Sequence, residues 1–437
     1  MGYNVFQAIP IRTSYQKKLE KFTSSLGNAI CKGETIPFAD NDLTYTLKLQ
    51  NERIKEKGLE MEYEVYQRSN SDHRFFDTSD WKDEHYASSV GFGVLGVNRE
   101  VKKDGKRLFR DRLKSVFYGT VTDIVSGGHP DNEIHICPNC GAESTIAGLQ
   151  NGCSYCGTQY KMDDLFPKIT GYYFLDDVGL DSSQLLKGWL ISSIICTLFL
   201  YVVAFFAGIA SIIAELLNNI NPLLVLATIP QSFIAGLIVG PISGAISGYI
   251  VYMMFVMVRM IIQGLANSGK MGTAGSRSRF EVRMKKLSPE FSFEYFTSKA
   301  ISLIKTAIYA KDESELLFYK GDKLSAEMKN IIDLNYGGAL GLIDFKEENG
   351  IVTVDTVAYF DVLYASGEKV QYKHQVFGAT FQRRTDIPVN LNFSMTRISC
   401  PTCGTSFNAM KNKFCPSCGN EYELISDDWV LTEIKLK

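Results

Sequence analysis

Charged side chains are almost missing from one long stretch of this 437-residue chain. Between Lys187 and Lys270, the only acidic or basic residues are Glu215 and Arg259. A water-soluble domain does not leave a stretch of that length nearly uncharged, because its surface needs polar groups. The stretch therefore predicts a membrane-embedded region.

The chain also lacks an excess of either charge. It has 46 Lys and Arg against 48 Asp and Glu, a formal net charge of -2. Binding of nucleic acid or anionic lipid would therefore need a local basic patch. The 45% content of hydrophobic residues excludes a disordered or collagen-like chain, and the length excludes a small disulfide scaffold. At about 100–200 residues per domain, we expect two to four domains.

Enzyme motifs are missing as well. The five histidines form no metal-site or nucleophile spacing, and no Walker or nucleophile-elbow sequence occurs. Residues 91–96 (GFGVLG) match G-x-G-x-x-G, but no apolar strand precedes them, which favours a glycine-rich loop or bulged strand. Asp72, His73 and residues 83–85 are interpreted as polar loop residues around Trp81 rather than as an acid/base cluster. We expect no enzymatic activity.

The first ten residues have neither a basic segment nor a long apolar run, so we expect no cleaved signal peptide. Gly2 resembles a myristoylation site, but Phe6 stands where that motif has Ser or Thr. We therefore expect the first residues to be retained without a lipid.

Two apolar segments lie within the uncharged stretch. Residues 189–217 exceed the roughly 20 residues that cross about 30 Å of hydrocarbon, and they predict the first spanning helix. Residues 230–262 predict a second, long helix that is tilted or kinked at Pro241. The alternative is a break at residues 240–241, which would give three short crossings.

Four glycines recur every fourth residue in the second segment and so share one helical stripe, where a neighbouring helix can approach closely. The stripe is also a candidate interface for a homo-oligomer. Its members are Gly236, Gly240, Gly244 and Gly248.

Two crossings are favoured by the charges that follow. Residues 270–286 carry six Lys and Arg against Glu281, which predicts that they face the cytoplasm. Glu215 and Arg259 lie near helix ends, where they can reach lipid headgroups, so neither is needed as a relay.

Eight of the ten cysteines form paired C-x-x-C motifs, each pair followed by glycine. The first set spans C-x2-C-x12-C-x2-C and the second spans C-x2-C-x11-C-x2-C. This spacing is typical of zinc ribbons, because one tight turn delivers two thiolates to a tetrahedral ion. The predicted ligands are Cys137, Cys140, Cys153 and Cys156 for one Zn²⁺, and Cys400, Cys403, Cys415 and Cys418 for the other.

Four thiolates leave no open coordination position, so both sites should be structural rather than catalytic. The alternatives are disulfides or redox pairs, but a redox C-x-x-C usually stands alone. Thiolate sites need a reducing compartment, which predicts that both flanks of the membrane segment are cytoplasmic. Cys31 and Cys196 are expected to be isolated thiols.

The spacers within the ribbons carry few basic residues. Residues 142–152 have none, and residues 405–414 have only Lys411 and Lys413. Ribbons that bind nucleic acid usually carry basic and aromatic residues here, so contact with protein is favoured.

The period of hydrophobic residues changes along the last third of the chain. Residues 272–278 predict a flexible linker, and helices are expected at residues 289–308 and 324–334. Strands are expected at residues 339–345, 351–364, 369–383, 391–398 and 429–436. The second ribbon would then lie between two strands that pair with each other.

Residues 291–296 (FSFEYF) open the helices, and residues 428–434 (DWVLTEI) close the sheet. Together with the order of elements, these segments make the region resemble the Tim forty-four-like domain family. The resemblance covers residues 288–437. It implies a cone-shaped α+β fold related to nuclear transport factor two, with an apolar pocket for lipid or protein. Chaperone docking is not implied, because nothing matches the partner-binding region of the mitochondrial family member.

The N-terminal part predicts helices at residues 14–30 and 43–57 and strands at 59–67, 116–125 and 169–175. The order of helices, strands, ribbon and strand is the order of the C-terminal half, so we expect a duplication of layout. Residues 99–114 hold eight basic residues and fit either a helix or, through Asp104 and Gly105, a hairpin. They form either a solvated basic face or a contact for anionic headgroups or nucleic acid.

The predicted fold class is α+β. Two cytoplasmic helix-plus-antiparallel-sheet modules, each with a zinc ribbon, are joined by a transmembrane helical hairpin. The expected boundaries are 1–133 for the N-terminal module, 134–186 for the first ribbon and closing strand, 187–264 for the hairpin, 265–287 for a basic juxtamembrane linker, and 288–437 for the Tim forty-four-like domain, with its ribbon at 399–420.

These features favour an integral membrane protein that contacts membrane lipids and binds or tethers a protein partner, in protein transport or envelope organisation. One alternative is a membrane-bound regulator whose ribbons contact nucleic acid or its polymerase. The other is a small channel or transporter that uses the glycine stripe as an oligomer interface.

Overall fold

The computed structural model describes residues 10–67, 75–82, 86–124, 132, 134–137, 140–145, 148, 153–157, 167–176, 182–217, 240–258, 268–289, 291–386, 398–407 and 412–437. The chain forms two compact units. One unit combines Met1–Asp177 with Lys270–Lys437, and the other is Val178–Gly269. We call them the soluble unit and the membrane unit, after what the sequence predicts for each.

The N-terminal segment of the soluble unit begins with two helices and continues with strands. Its elements are α1 (Thr13–Lys32), α2 (Asn41–Glu56), β1 (Glu60–Gln67), β2 (Phe76–Lys82), β3 (Tyr86–Lys103), β4 (Lys106–Ile124), β5 (Ile134–Ile136), β6 (Glu143–Thr145) and β7 (Lys168–Asp176).

The membrane unit holds α3 (Ser182–Leu217) and α4 (Gly240–Val258). The C-terminal segment of the soluble unit follows. Its elements are α5 (Ser268–Leu287), α6 (Phe293–Tyr309), β8 (Ile331–Glu348), β9 (Ile351–Ser366), β10 (Lys369–Arg384), β11 (Ile398–Ser399), β12 (Ser406–Phe407) and β13 (Val430–Leu436).

Two antiparallel sheets form the soluble unit. The first has the strand order β1-β3-β4-β7, with β2 also paired to β3, and the second has the order β8-β9-β10-β13. The mixed α+β class with two antiparallel sheets is therefore confirmed. The relation to nuclear transport factor two and the division into two modules stay predictions.

The two sheets share one topology. In each, the chain makes a first strand, then a long two-stranded hairpin, then a cysteine ribbon, and then a closing strand that pairs with the second strand of the hairpin. The closing pairs even carry the same irregularity. The register of β4 with β7 shifts between Thr120 and Val121, and that of β10 with β13 shifts between Thr380 and Phe381.

The segment after the first helix repeats too. Ala39, which follows α1, makes a parallel bridge to Ile169 of β7, and Tyr319, which follows α6, makes one to Leu431 of β13. In both bridges, the amide of the strand residue donates to the carbonyl of the residue that precedes its bridge partner. The carbonyl of the strand residue accepts from the amide of the residue that follows the bridge partner, and these N···O distances are 2.7–3.0 Å. The duplication of layout that the sequence suggests is thus present as repeated topology.

Three local expectations need correction. Residues 324–334 are not a helix: a short 3₁₀ turn (Met328–Asn330) leads directly into β8. The first residues of β8 are buried on both faces, and such continuous apolar spacing resembles a helix in sequence. Residues 272–278, expected as a flexible linker, belong to α5. Ser276, Phe280 and Met284 of that helix are buried at helical spacing, which stabilises it despite its small residues.

The basic segment at residues 99–114 is a hairpin rather than a helix. Asp104 and Gly105 both adopt positive φ angles, 50° and 75°, as a two-residue turn between long strands requires. Residues 91–96 lie within β3, in keeping with the strand interpretation of the glycine motif. The predicted strand at 391–398 lies mostly outside the described residues.

The two segments of the soluble unit share their cores. Leu49 of α2 packs in the core of the C-terminal sheet, while Ile332 and Leu363 pack in the core of the N-terminal sheet. Neither segment can bury its apolar surface fully without the other.

A buried polar cluster links the two segments. Arg99 of β3 is only 3% exposed, and its guanidinium lies 2.9 Å from the Asp333 carboxylate of β8 and 2.7 Å from that of Asp111. The Gln50 amide donates to Asp333 at 2.9 Å. Burial opposes the charge on Arg99, but the two carboxylates outweigh it and raise its pKa.

We expect Asp333→Ala to lower the free energy of unfolding by about 3–5 kcal/mol, because it leaves the buried Arg99 with one carboxylate only. Glu433→Ala, which removes an exposed partner of Lys435, should cost no more than about 1 kcal/mol. Denaturant unfolding of the purified chain in detergent, followed by tryptophan fluorescence, measures both. Equal losses for the two variants would contradict this role for Arg99.

In the membrane unit, α3 and α4 are long and apolar enough to cross a membrane, over Leu186–Ala207 and Gly240–Val258. The glycines of α4 lie against α3. A side chain at Gly240, Gly244 or Gly248 would meet Tyr201, Thr197 or Ser193 respectively, so the two helices run antiparallel in close contact. Ser192 also donates to the Gly248 carbonyl at 2.6 Å.

The glycine stripe therefore packs within the chain itself. Gly236 lies outside the described residues, as does the part of the second apolar segment that would decide between two and three crossings. The proposed homo-oligomer through this stripe stays a prediction.

We expect Gly248→Ala to destabilise the membrane unit by about 1–3 kcal/mol, because its methyl group would overlap the Ser193 backbone. Ile250→Ala, at an exposed position of the same helix, should have little effect on helix contact. The native Cys196 of α3 is a local reporter: its alkylation by a maleimide, located by mass spectrometry, should begin at a lower temperature in Gly248→Ala. An unchanged alkylation temperature would show that the two helices are not in such close contact.

Candidate metal centres

The first cysteine cluster is built from two knuckles. At the first knuckle, the Cys137 carbonyl accepts from the Gly141 amide at 2.8 Å, and the Cys137 amide donates to the Ala142 carbonyl at 2.8 Å. Gly141 has a φ of 75°, a conformation that lets the chain bend back immediately after Cys140. Strand β5 leads into this turn and pairs with β6, which leaves it.

The second knuckle of this cluster repeats the turn, since the Gly157 amide donates to the Cys153 carbonyl at 2.8 Å. The two knuckles face each other. Their sulfur atoms lie 3.8 Å apart for Cys137 and Cys156, and 3.6 Å apart for Cys140 and Cys153.

The second cluster has the same construction. The Cys400 and Cys415 carbonyls accept from the glycine amides four residues later at 2.9 and 2.8 Å, and their own amides donate to Thr405 and Asn420. The sulfur atoms of Cys400 and Cys418 lie 3.5 Å apart, and those of Cys403 and Cys415 lie 3.6 Å apart.

All eight predicted residues are thus brought together in two groups of four, with ligand atoms within 4.8 Å of one another in each group. A tetrahedron of sulfurs about 2.3 Å from a central ion has edges of about 3.8 Å, so both groups fit such an ion. A disulfide would need about 2.05 Å between sulfurs, and none of the ten cysteines is joined to another by a disulfide. The geometry therefore favours metal binding over the disulfide alternative.

No family model, no curated protein and no solved structure matches this chain. The resemblance of residues 288–437 to the Tim forty-four-like family has no support from these comparisons and stays a hypothesis.

Burial alternates within every knuckle. The first cysteine of each is buried, and the second is more exposed. An ion at either centre would therefore lie between the ribbon interior and its surface, enclosed by four sulfurs. Such a centre can stabilise the fold but offers no position for a substrate or an activated water.

The cysteines of the second centre differ in acidity. Hydrogen bonds with Thr405 lower the pKa of Cys403 to about 6, whereas at Cys418 the backbone hydrogen bond of Asn420 is outweighed by burial and by hydrogen bonds with the other three cysteines, which raise the pKa of Cys418 to about 12. Thiolates, rather than thiols, are the metal-binding form.

The two ribbons are attached differently to the soluble unit. Cys400, Phe407 and Cys415 belong to the C-terminal core, together with Trp429. Among the described residues, Cys137 and Cys153 belong to neither core. The second ribbon is thus part of the packed interior, whereas the first is a peripheral insertion.

The other residues that the sequence suggested as functional candidates do not form a further site in the described part of the chain. Asp72, His73 and residues 83–85 lie outside the described residues. In the basic hairpin, the half-buried Glu100 carboxylate lies 3.3 Å from the Lys102 ammonium group and 3.0 Å from the Arg107 guanidinium. These ion pairs support the interpretation of the hairpin as a solvated, partly neutralised basic face.

Sequence reasoning missed the role of Arg99, which we grouped with the basic surface. Val97 and Val101, which lie two residues before and two residues after Arg99 in β3, are both buried. In a strand, residues that alternate with a step of two share one face, so a strand interpretation would have placed Arg99 inside.

We expect Cys415→Ser to lower the melting temperature of the soluble unit by about 10 °C, roughly 7 kcal/mol for a unit of this size, because loss of the metal opens the C-terminal core. The matched variant Cys153→Ser removes the equivalent ligand of the peripheral ribbon and should lower it by about 3 °C at most. Differential scanning fluorimetry in detergent measures both, with Cys31→Ser as a control for loss of a thiol. Equal shifts for the two ribbon variants would contradict the difference in attachment.

Proposed function

We propose that this chain is a membrane-anchored binding or tethering protein whose two cysteine centres each hold one structural Zn²⁺. The observation that carries this proposal is the pair of closed four-sulfur centres, each inserted before the closing strand of a sheet. Four sulfurs in a tetrahedron favour zinc or iron among the common metals, and the structural role of the ribbons favours zinc.

The membrane anchor is supported by the surface of the membrane unit. Large apolar side chains of α3 point away from the protein, with Phe199, Phe205 and Phe206 about 65% exposed. An apolar surface of this extent is stable only in lipid or against another protein. We infer that α3 and α4 span the bilayer as a hairpin and that membrane lipids are their partners.

The assembly of the soluble unit supports an even number of crossings. The segments on either side of the membrane unit, Met1–Asp177 and Lys270–Lys437, belong to one compact unit. Since a compact unit lies on one side of a membrane, this supports an even number of crossings over the three-crossing alternative. The thiolate centres and the basic residues of α5 favour the cytoplasm as that side.

Binding of a protein partner, rather than catalysis, is supported by the ribbon surface. The first ribbon exposes Ile134, Ile136 and Tyr155, and its described residues include no Lys or Arg. Such a surface fits apolar contact with a protein better than contact with phosphates.

Thiol accessibility tests the topology. After zinc chelation, an impermeant thiol reagent should modify the ribbon cysteines in inverted vesicles but not in intact cells. Cys196, inside the predicted span, should resist the reagent from both sides. Labelling of one ribbon from each side would overturn the two-crossing hairpin.

Metal analysis of the purified chain tests the centres. We expect two zinc ions per chain, reduced to one in Cys400→Ser or Cys137→Ser and absent in the double variant. A chain that carries iron, or no metal, would contradict the proposal of structural zinc.

A further inference from the structure

Helix α5 follows the membrane unit in sequence, and one of its faces is fixed to the soluble unit. Phe280 and Met284 are buried, and Phe280 packs edge-on against Phe291 and Phe296. The Ser276 hydroxyl accepts a hydrogen bond from the Leu342 amide of β8 at 2.9 Å. The orientation of α5 on the soluble unit is therefore determined by packing.

Arg277 reinforces this attachment from a second direction. Its guanidinium lies 2.7 Å from the Glu294 carboxylate and 2.9 Å from that of Glu281. It also lies 4.5 Å from the ring centroid of Trp81 and 4.8 Å from that of Phe293. Glu281, the one acid of α5, is thus engaged with Arg277 and does not neutralise the opposite face.

The opposite face of α5 is basic and exposed. Arg279, Arg283 and Lys286 follow one another at spacings of four and three residues, so they share one side of the helix. Val282 lies between them on the same side and is 56% exposed.

The adjacent part of β8 continues this surface. The Arg283 guanidinium lies 5.5 Å from the centroid of Phe345, and Ile343 is 54% exposed. Asp344 is acidic, but its carboxylate lies 3.3 Å from Lys346, which limits its effect. We call Arg279, Val282, Arg283 and Lys286 the basic-apolar face.

The connection between α4 and α5 is short. Only nine residues, 259–267, separate the last residue of α4 from the first residue of α5. A chain of that length spans at most about 32 Å when fully extended.

We propose that the basic-apolar face docks on anionic phospholipid headgroups of the membrane that anchors the chain. This inference rests on the proposed membrane anchor. The bases supply attraction to lipid phosphates, and Val282 enters the apolar part of the interface, which is the combination found in interfacial helices.

The test uses the full chain in lipid nanodiscs, with Val282 replaced by an environment-sensitive fluorescent amino acid. In discs with about 30% phosphatidylglycerol, we expect a blue shift and strong quenching by spin-labelled lipid. Each basic residue near an anionic surface shifts the bound-to-free ratio about fivefold, so Arg279→Gln, Arg283→Gln and Lys286→Gln together should lower it about 100-fold. Quenching should also fall in 0.5 M NaCl.

Two controls make the test specific. The same probe at Glu368, in the turn at the other end of β9, should show no quenching. The triple variant Lys102→Gln, Arg107→Gln and Arg110→Gln removes the same charge from the basic hairpin and should leave quenching at position 282 unchanged. A melting curve of each variant shows that the soluble unit stays folded.

The outcomes separate the inference from the proposed function. Chains that enter nanodiscs but show equal signals with phosphatidylcholine and phosphatidylglycerol would overturn lipid docking and leave the anchor intact. Chains that fail to enter nanodiscs would overturn both. A response of the probe to duplex DNA or RNA, but not to anionic lipid, would assign the basic-apolar face to nucleic acid instead.

Discussion

Both sheets of the soluble unit depend on one constraint, the pairing of a closing strand across a long excursion of the chain. The chain leaves β4 at Ile124 and pairs with it again from Lys168, and it leaves β10 at Arg384 and returns at Val430. Closing a loop of this length costs conformational entropy before the strands make any contact. A metal held by four cysteines inside each excursion would shorten the free part of the chain and reduce that cost. The second ribbon, whose Cys400 and Cys415 pack in the C-terminal core, is best understood as a folding element of its sheet, whereas the first ribbon is a peripheral insertion.

The sequence was most informative where chemistry is local. The cysteine spacings identified all eight residues of the two centres, because knuckle geometry depends on neighbouring residues. The long strands at 351–364 and 369–383, and the turn between them, were likewise visible from a period of two and from Gly367. The position of the second ribbon before the closing strand also followed from this order, but the expected partner of that strand was residues 391–398, whereas β13 pairs with β10.

The rest depended on distant contacts. Residues 272–278 are rich in small residues and suggested flexibility, yet the burial of Phe280 and Met284 against the soluble unit makes them helical. Arg99 belongs by composition to a basic surface, but its partner Asp333 is more than 230 residues away. No local pattern could have shown that the two flanks of the membrane unit share their cores.

The division of the soluble unit between two distant segments of the chain has a consequence for biosynthesis. When the ribosome has completed residue 177, the N-terminal core still lacks Ile332 and Leu363, almost all of the C-terminal core is missing, and the membrane unit and 168 further residues must follow. At roughly 5–20 residues per second, the first segment waits about 10–50 s for its partner. During that time Arg99 has no Asp333, and the apolar side chains that face β8 stay open to water and to proteases. The nascent chain is therefore the stage at which this protein is most exposed to aggregation and most dependent on cellular protection.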